Sequence, residues 1–122
     1  MIQPEIVDGF VVMHKDYPIL EVWWDNTLKV YTKKIGENRS IHLRDYIYEG
    51  NVTFRELMDW LETRVPDKTR DDIDYILRNY GLSEFNVLAM CSKSYGRQPT
   101  NHMWLKFYGV EDVTYEEIRL RR

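Results

Sequence analysis

The side chains able to do chemistry here are three histidines, one cysteine and several neighbouring carboxylates. The sharpest grouping is His14-Lys15-Asp16, close in type to the His-Arg-Asp that presents a base in a phosphotransfer catalytic loop. That loop also needs an asparagine five residues after the aspartate to hold a metal, and here the position is Glu21. The triplet runs into Tyr17-Pro18 and reads instead as a tight turn closed by Asp16 and Pro18. His14, His42 and His102 stand far apart, with no His-Glu-x-x-His or Cys-x-x-Cys spacing around them, so no metal site is expected. All six glycines are isolated, which leaves no phosphate-cradling loop for a nucleotide. Cys91 lies between Met90 and Ser92 at the end of an apolar stripe and reads as a buried structural thiol. Asp71-Asp72 and Glu116-Glu117 are explained by helix starts and solvated faces. The expectation is a protein without catalytic residues, cofactor or metal.

The elements that would position any site must come from 122 residues, the length of one domain spanning 1–122. Large side chains for its core are plentiful, with 43% hydrophobic and 14% aromatic residues. A single cysteine cannot form an internal disulfide, and Met1-Ile2-Gln3-Pro4-Glu5 lacks the basic and apolar regions of a secretory signal. No apolar run approaches the roughly 18 residues of a membrane span. A soluble, cytoplasmic protein is expected. The formal charge of -3 argues against a general nucleic-acid binder. The charge is uneven, however: residues 86–110 contain no acid but hold Lys93, Arg97, His102 and Lys106. This window is either a local anion-contacting surface or a sparsely charged loop and half-buried strand.

Residues 10–14, 19–24 and 27–32 read as strands of an antiparallel meander, the third alternating apolar and polar with period two. Residues 33–39 read as a loop, and 40–49 as either extended chain or a helical turn. Thr53 with Glu56 forms a capping box for a helix carrying Leu57, Leu61 and Val65 and ending at Pro66, with Val52 as its staple. Thr69 with Asp72 is placed to cap a second helix that stops at Gly81 in the left-handed region. Ser83 is placed to cap a shorter third helix ending near Ser92. Residues 92–101 then read as an exposed loop, 102–107 as a strand, and 113–120 as a returning strand or a short helix capped by Thr114 and Glu117, the strand hairpin being favoured. The fold expected is α+β: an antiparallel sheet of N-terminal strands and a C-terminal hairpin, packed with three central helices. Trp23 and Trp24 must face opposite sides of their strand. Trp60, read as lying partly off the stripe of Leu57 and Leu61, is a candidate for a recognition surface.

The string Leu57-Met58-Asp59-Trp60-Leu61-Glu62-Thr63-Arg64-Val65-Pro66-Asp67, followed by Arg70, Ile73 and Tyr80-Gly81-Leu82, resembles the N-terminal accessory domain of HipA-type toxin kinases. His14-Lys15-Asp16-Tyr17-Pro18, Tyr95-Gly96 and Trp104-Leu105-Lys106 are similar to a Gram-positive branch of that family. The resemblance covers about three quarters of the chain. The sequence ends at Arg122 with no kinase core, so the resemblance implies a free-standing accessory domain without phosphotransfer activity. It further implies a regulatory or antitoxin-like subunit that binds a HipA-type serine/threonine kinase. The candidate partner-binding residues are Trp60, Arg64, Ser94, Tyr95, Arg97 and His102. Two other classes fit the residues: a phage or mobile-element protein that inhibits another host protein, and a small nucleic-acid-contacting regulator. The last would use Lys93, Arg97, Lys106, Arg119 and Arg121.

Overall fold

A computed structural model of the chain describes residues 6–38, 40–98, 102–109 and 114–120, with residues 6, 7, 119 and 120 described through the backbone alone. Four antiparallel strands form its sheet: β1 (Ile6–His14), β2 (Tyr17–Asp25), β3 (Val30–Lys34) and β4 (Met103–Phe107), in the order β3-β2-β1-β4. The expected meander is present, and the expected late strand joins it beside β1. With helices α1 (Asp45–Tyr48), α2 (Phe54–Glu62), α3 (Ile73–Asn79), α4 (Val87–Ser94) and α5 (Tyr115–Leu120), the fold is α+β.

Strand alternation divides the apolar residues between two faces. Phe10, Val12, Leu20, Val22, Leu105 and Phe107 meet Ile47 of α1, Leu57, Trp60 and Leu61 of α2 and Cys91 of α4 in the main core. On the other face, Met13 and Trp104 pack against Tyr115 and Ile118 of α5. Trp24 is buried in the main core, while Trp23 is half-buried and stacks on Tyr31 across the strand pair.

The helix starts test the capping expectations. Thr53 Oγ1 accepts from Glu56 N while Glu56 Oε1 accepts from Thr53 N, the reciprocal box expected for α2. Thr69 does not cap α3: its backbone N and hydroxyl both donate to Asp67 Oδ1, closing a turn, and the helix begins later at Ile73. The end of α3 is as expected, with Gly81 at φ +73° and Leu82 N donating to Leu77 O at 2.8 Å. Asn86 caps α4 in place of Ser83, its Oδ1 accepting from Ala89 N at 3.0 Å.

The C-terminal hairpin is replaced by a helix. Thr114 and Glu117 make the capping interaction that the strand reading set aside. Asp16, in the β1–β2 turn, accepts from Tyr115 N at 2.8 Å. Tyr115 and Ile118, three apart, then lie on one helical side over Trp104.

The turn between β2 and β3 is organised by Asp25. Its Oδ1 accepts from the Thr27 hydroxyl at 2.6 Å, Thr27 N at 2.9 Å and Lys29 N at 3.0 Å, and its Oδ2 from the Tyr31 hydroxyl at 3.0 Å. The Thr27 hydroxyl leads the set of donors that pull the carboxyl from 3.8 to about 2. Because the folded value is depressed, this stabilisation is complete above 3.8 and disappears as the pH falls toward 2. Asp25→Asn should therefore flatten the acid-side fall of the thermal midpoint, read by circular dichroism at about pH 4 and about pH 2. Equal slopes for the two proteins would contradict this role.

Candidate functional site

Arg64 follows the C-terminal end of α2 and is 4% exposed. Its Nε donates to Gly96 O at 2.9 Å and its Nη2 to Met103 O at 2.8 Å, while its Nη1 lies 3.4 Å from Gln98 Oε1. One guanidinium thereby joins the end of α2 to the turn after α4 and to the start of β4. Burial lowers its pKa from 12.5 to about 10, opposed by the neighbouring Cys91, so the group stays cationic at neutral pH. Burial pushes the Cys91 thiol up to about 12. Cys91 is fully buried with Sγ 3.6 Å from Leu61 O, which fits the structural thiol expected.

The turn that meets Arg64 is built from two successive left-handed residues, Tyr95 at φ +57° and Gly96 at φ +55°. A Cβ on Gly96 would stand 2.7 Å from Leu105 Cδ1, so glycine is required by space as well as by backbone conformation. Gly96 N donates to Cys91 O, and Tyr95 O accepts from Leu105 N at 2.7 Å.

Outside this clamp lies a cavity of about 1090 Å³. Arg64, Val65 and Pro66 line it from the end of α2, Ile76 and Tyr80 from the α3 side, and Ile118 from α5. Arg70, Lys93 and Arg97 complete a set of four cations, and no carboxylate stands among the described lining residues. Arg70 is engaged outside the cavity with Asp72, Nε and Nη2 each 3.0 Å from a carboxylate oxygen. Ser94 Oγ and Arg97 Nε are shielded from solvent and meet no hydrogen-bond partner among the described residues. The arrangement can receive an anion.

Five of the expected site residues, Arg64, Lys93, Ser94, Tyr95 and Arg97, converge on this groove. The others do not. Trp60 is 4% exposed and its Nε1 donates to His42 O at 3.0 Å, which corrects its expected role as an exposed anchor. It stands three residues after Leu57 and so belongs to the buried side of α2. It touches only a smaller hollow of about 310 Å³, shared with Ile41 and His42. Arg64, seven residues after Leu57, is buried for the same reason and reaches the groove as its floor.

The expected exposed loop is also corrected. Residues 92–94 finish α4, Gly96 is buried, and Tyr95, Arg97 and Gln98 are half-buried, leaving Lys93 exposed. Residues 99–101 lie outside the described residues. His102 is exposed, but its Nδ1 stands 2.9 Å from the Tyr115 hydroxyl, at the β1–β2 turn. Lys106 shares the sheet face of Trp104 and is not part of the groove lining. Arg119 is described through its backbone only, and Arg121 lies outside the described residues. Arg70 is the groove cation that sequence reasoning did not select for binding; its signal was only its place in the short segment between two helices.

Among the described residues no group of three His, Cys, Asp or Glu side chains could hold a metal ion, and no helix is long and apolar enough to cross a membrane. Comparison with protein-family models, with curated proteins and with solved structures finds no match for the chain.

Proposed function

We propose that the chain is a non-catalytic protein-binding module of the cytoplasm whose groove receives an acidic segment of its partner. By the resemblance carried by residues 57–67, the partner is a HipA-type serine/threonine kinase and the chain is its regulatory or antitoxin-like subunit. The observation that supports a binding role is the groove itself, which gathers Arg64, Arg70, Lys93 and Arg97 without a lining carboxylate among the described residues. Cations held in a shaped, partly dry recess select an anionic partner more strongly than the same charges scattered over a surface. Lys106 is not among the described lining residues, and the four cations share one pocket-sized recess.

Affinity purification of the tagged chain from its native cells tests this, with mass spectrometry of the co-purifying protein. The kinase should accompany the wild-type chain, and recovery should fall at least about tenfold for Lys93→Glu/Arg97→Glu while Lys29→Glu/Lys33→Glu leaves it unchanged. Recovery of an unrelated protein with the same charge dependence would move the reading to an inhibitor of another host protein. Recovery of nucleic acid alone, lost in the groove variant, would replace both with the nucleic-acid regulator.

A further inference from the structure

Resting on the groove reading above, we infer that the end of the groove formed by Lys93, Ser94 and Arg97 is a subsite for a phosphate monoester carried by the partner segment. The four cations are not equivalent. Arg70 is committed to Asp72 through two bonds, and Arg64 directs its described bonds to Gly96 O, Met103 O and Gln98 Oε1. Lys93 is exposed at the last turn of α4, one residue from Ser94. Arg97 stands on the same tight turn, its backbone N donating to Ser94 O at 3.2 Å. Both Ser94 Oγ and Arg97 Nε are shielded from water without a partner among the described residues. Polar atoms held that way are unfavourable in the empty groove and gain most when a ligand oxygen reaches them.

The number and kind of donors distinguish the ligand. A carboxylate has one charge and two oxygens, which a single guanidinium satisfies in bidentate fashion. A guanidinium, an ammonium and a hydroxyl carried by residues 93–97 on one wall of the groove instead match three acceptor oxygens and a charge near minus two, which a phosphate monoester supplies. Ser94 contributes a neutral hydroxyl that fits an acceptor oxygen, and the described lining offers no carboxylate to repel the second charge.

The full chain, labelled with nitrogen-15, is titrated with phenyl phosphate and separately with benzoate while amide shifts are followed. Saturable shifts of residues 93–97 are expected with phenyl phosphate, at least about tenfold weaker with benzoate. Binding should strengthen between about pH 5 and about pH 7.5, as phenyl phosphate loses its second proton near pH 6. The described lining residues include no histidine and no carboxylate, and Asp72, which accepts from Arg70 beside the groove, is held below its ordinary range by that guanidinium and stays ionised in that window. Arg97→Gln should weaken phenyl phosphate about tenfold and Ser94→Ala by a smaller factor, with unchanged spectra elsewhere reporting an intact fold. Equal response to benzoate would overturn the phosphate subsite and leave an anion-binding groove. No response to either compound, or no effect of Arg97→Gln, would overturn it too, while partner capture by the charge-reversed variant judges the groove reading separately.

Discussion

Replacing Arg64 with methionine should lower the free energy of unfolding by about 3 kcal/mol. The methionine fills most of the aliphatic volume but removes the two buried, charge-assisted hydrogen bonds that the guanidinium donates to Gly96 O and Met103 O. Each hydrogen bond to a charged group is expected to contribute about 1.5 to 3 kcal/mol. The loss is partly offset because a buried cation no longer has to be desolvated, the same burial that lowers the Arg64 pKa. Lysine is no substitute, since one ammonium cannot occupy the positions of Nε and Nη2 together. Urea unfolding of the wild type, Arg64→Met and Arg64→Lys measures this. A loss under about 0.5 kcal/mol for Arg64→Met would mean that the clamp does not hold the turn after α4. Because Gly96 and Met103 lie on opposite sides of the residues that follow Arg97, faster amide exchange at both is the local signature expected of the variant.

Truncating Trp104 to alanine should cost about 4 kcal/mol. The indole is fully buried between Met13 and α5, stands edge-to-face to Tyr95 at 6.3 Å, and donates from Nε1 to Lys15 O at 2.6 Å. Its removal opens a void on the second sheet face and leaves the carbonyl of a tight turn without that donor. With six residues, α5 is too short to persist alone, so its helicity depends on Tyr115 and Ile118 having this surface to cover. Amide exchange in α5 should therefore rise toward that of an unstructured segment in Trp104→Ala, whereas Trp104→Phe should retain most protection. Unfolding of Trp104→Ala within about 1 kcal/mol of the wild type, with α5 still protected, would contradict the second core.

Both residues show where sequence reasoning succeeds and where it stops. The period-two strands, the Thr53 and Glu56 box and the Gly81 stop are local devices, set by backbone geometry and neighbouring side chains, and they were legible. For residues 113–120, Tyr115 and Ile118 suit a helix, while Val113 and Tyr115 suit a strand equally well. The helix is settled by a contact from Asp16, 99 residues earlier in the chain, and by Trp104 beneath it. The start of α4 turned on whether Ser83 or Asn86 supplied the cap, two residue types with similar aptitude.

The site was half legible for a related reason. The acid-free window of residues 86–110 exposed Lys93 and Arg97 as a pair, but nothing local connects them to Arg64 or Arg70. Arg64 meets that turn through Gly96, 32 positions away in sequence, and Arg70 lines the same groove. Trp60 and Arg64 were read as partner-facing, Trp60 as lying partly off the stripe of Leu57 and Leu61, although their spacing from Leu57 matches the core side of α2 where both are buried. Each carries a polar group into the interior and satisfies it on a backbone carbonyl, His42 O for Trp60 and Gly96 O for Arg64.

The groove as a protein contact is tested most directly by placing a photo-reactive benzophenone amino acid at Asn79, which lines it, and separately at Lys33 on β3, then irradiating native cells. A HipA-type kinase crosslinked from position 79 and absent from position 33 is the predicted result. Protein crosslinked from position 33 alone, or from neither position while nucleic acid is captured at 79, would contradict the account.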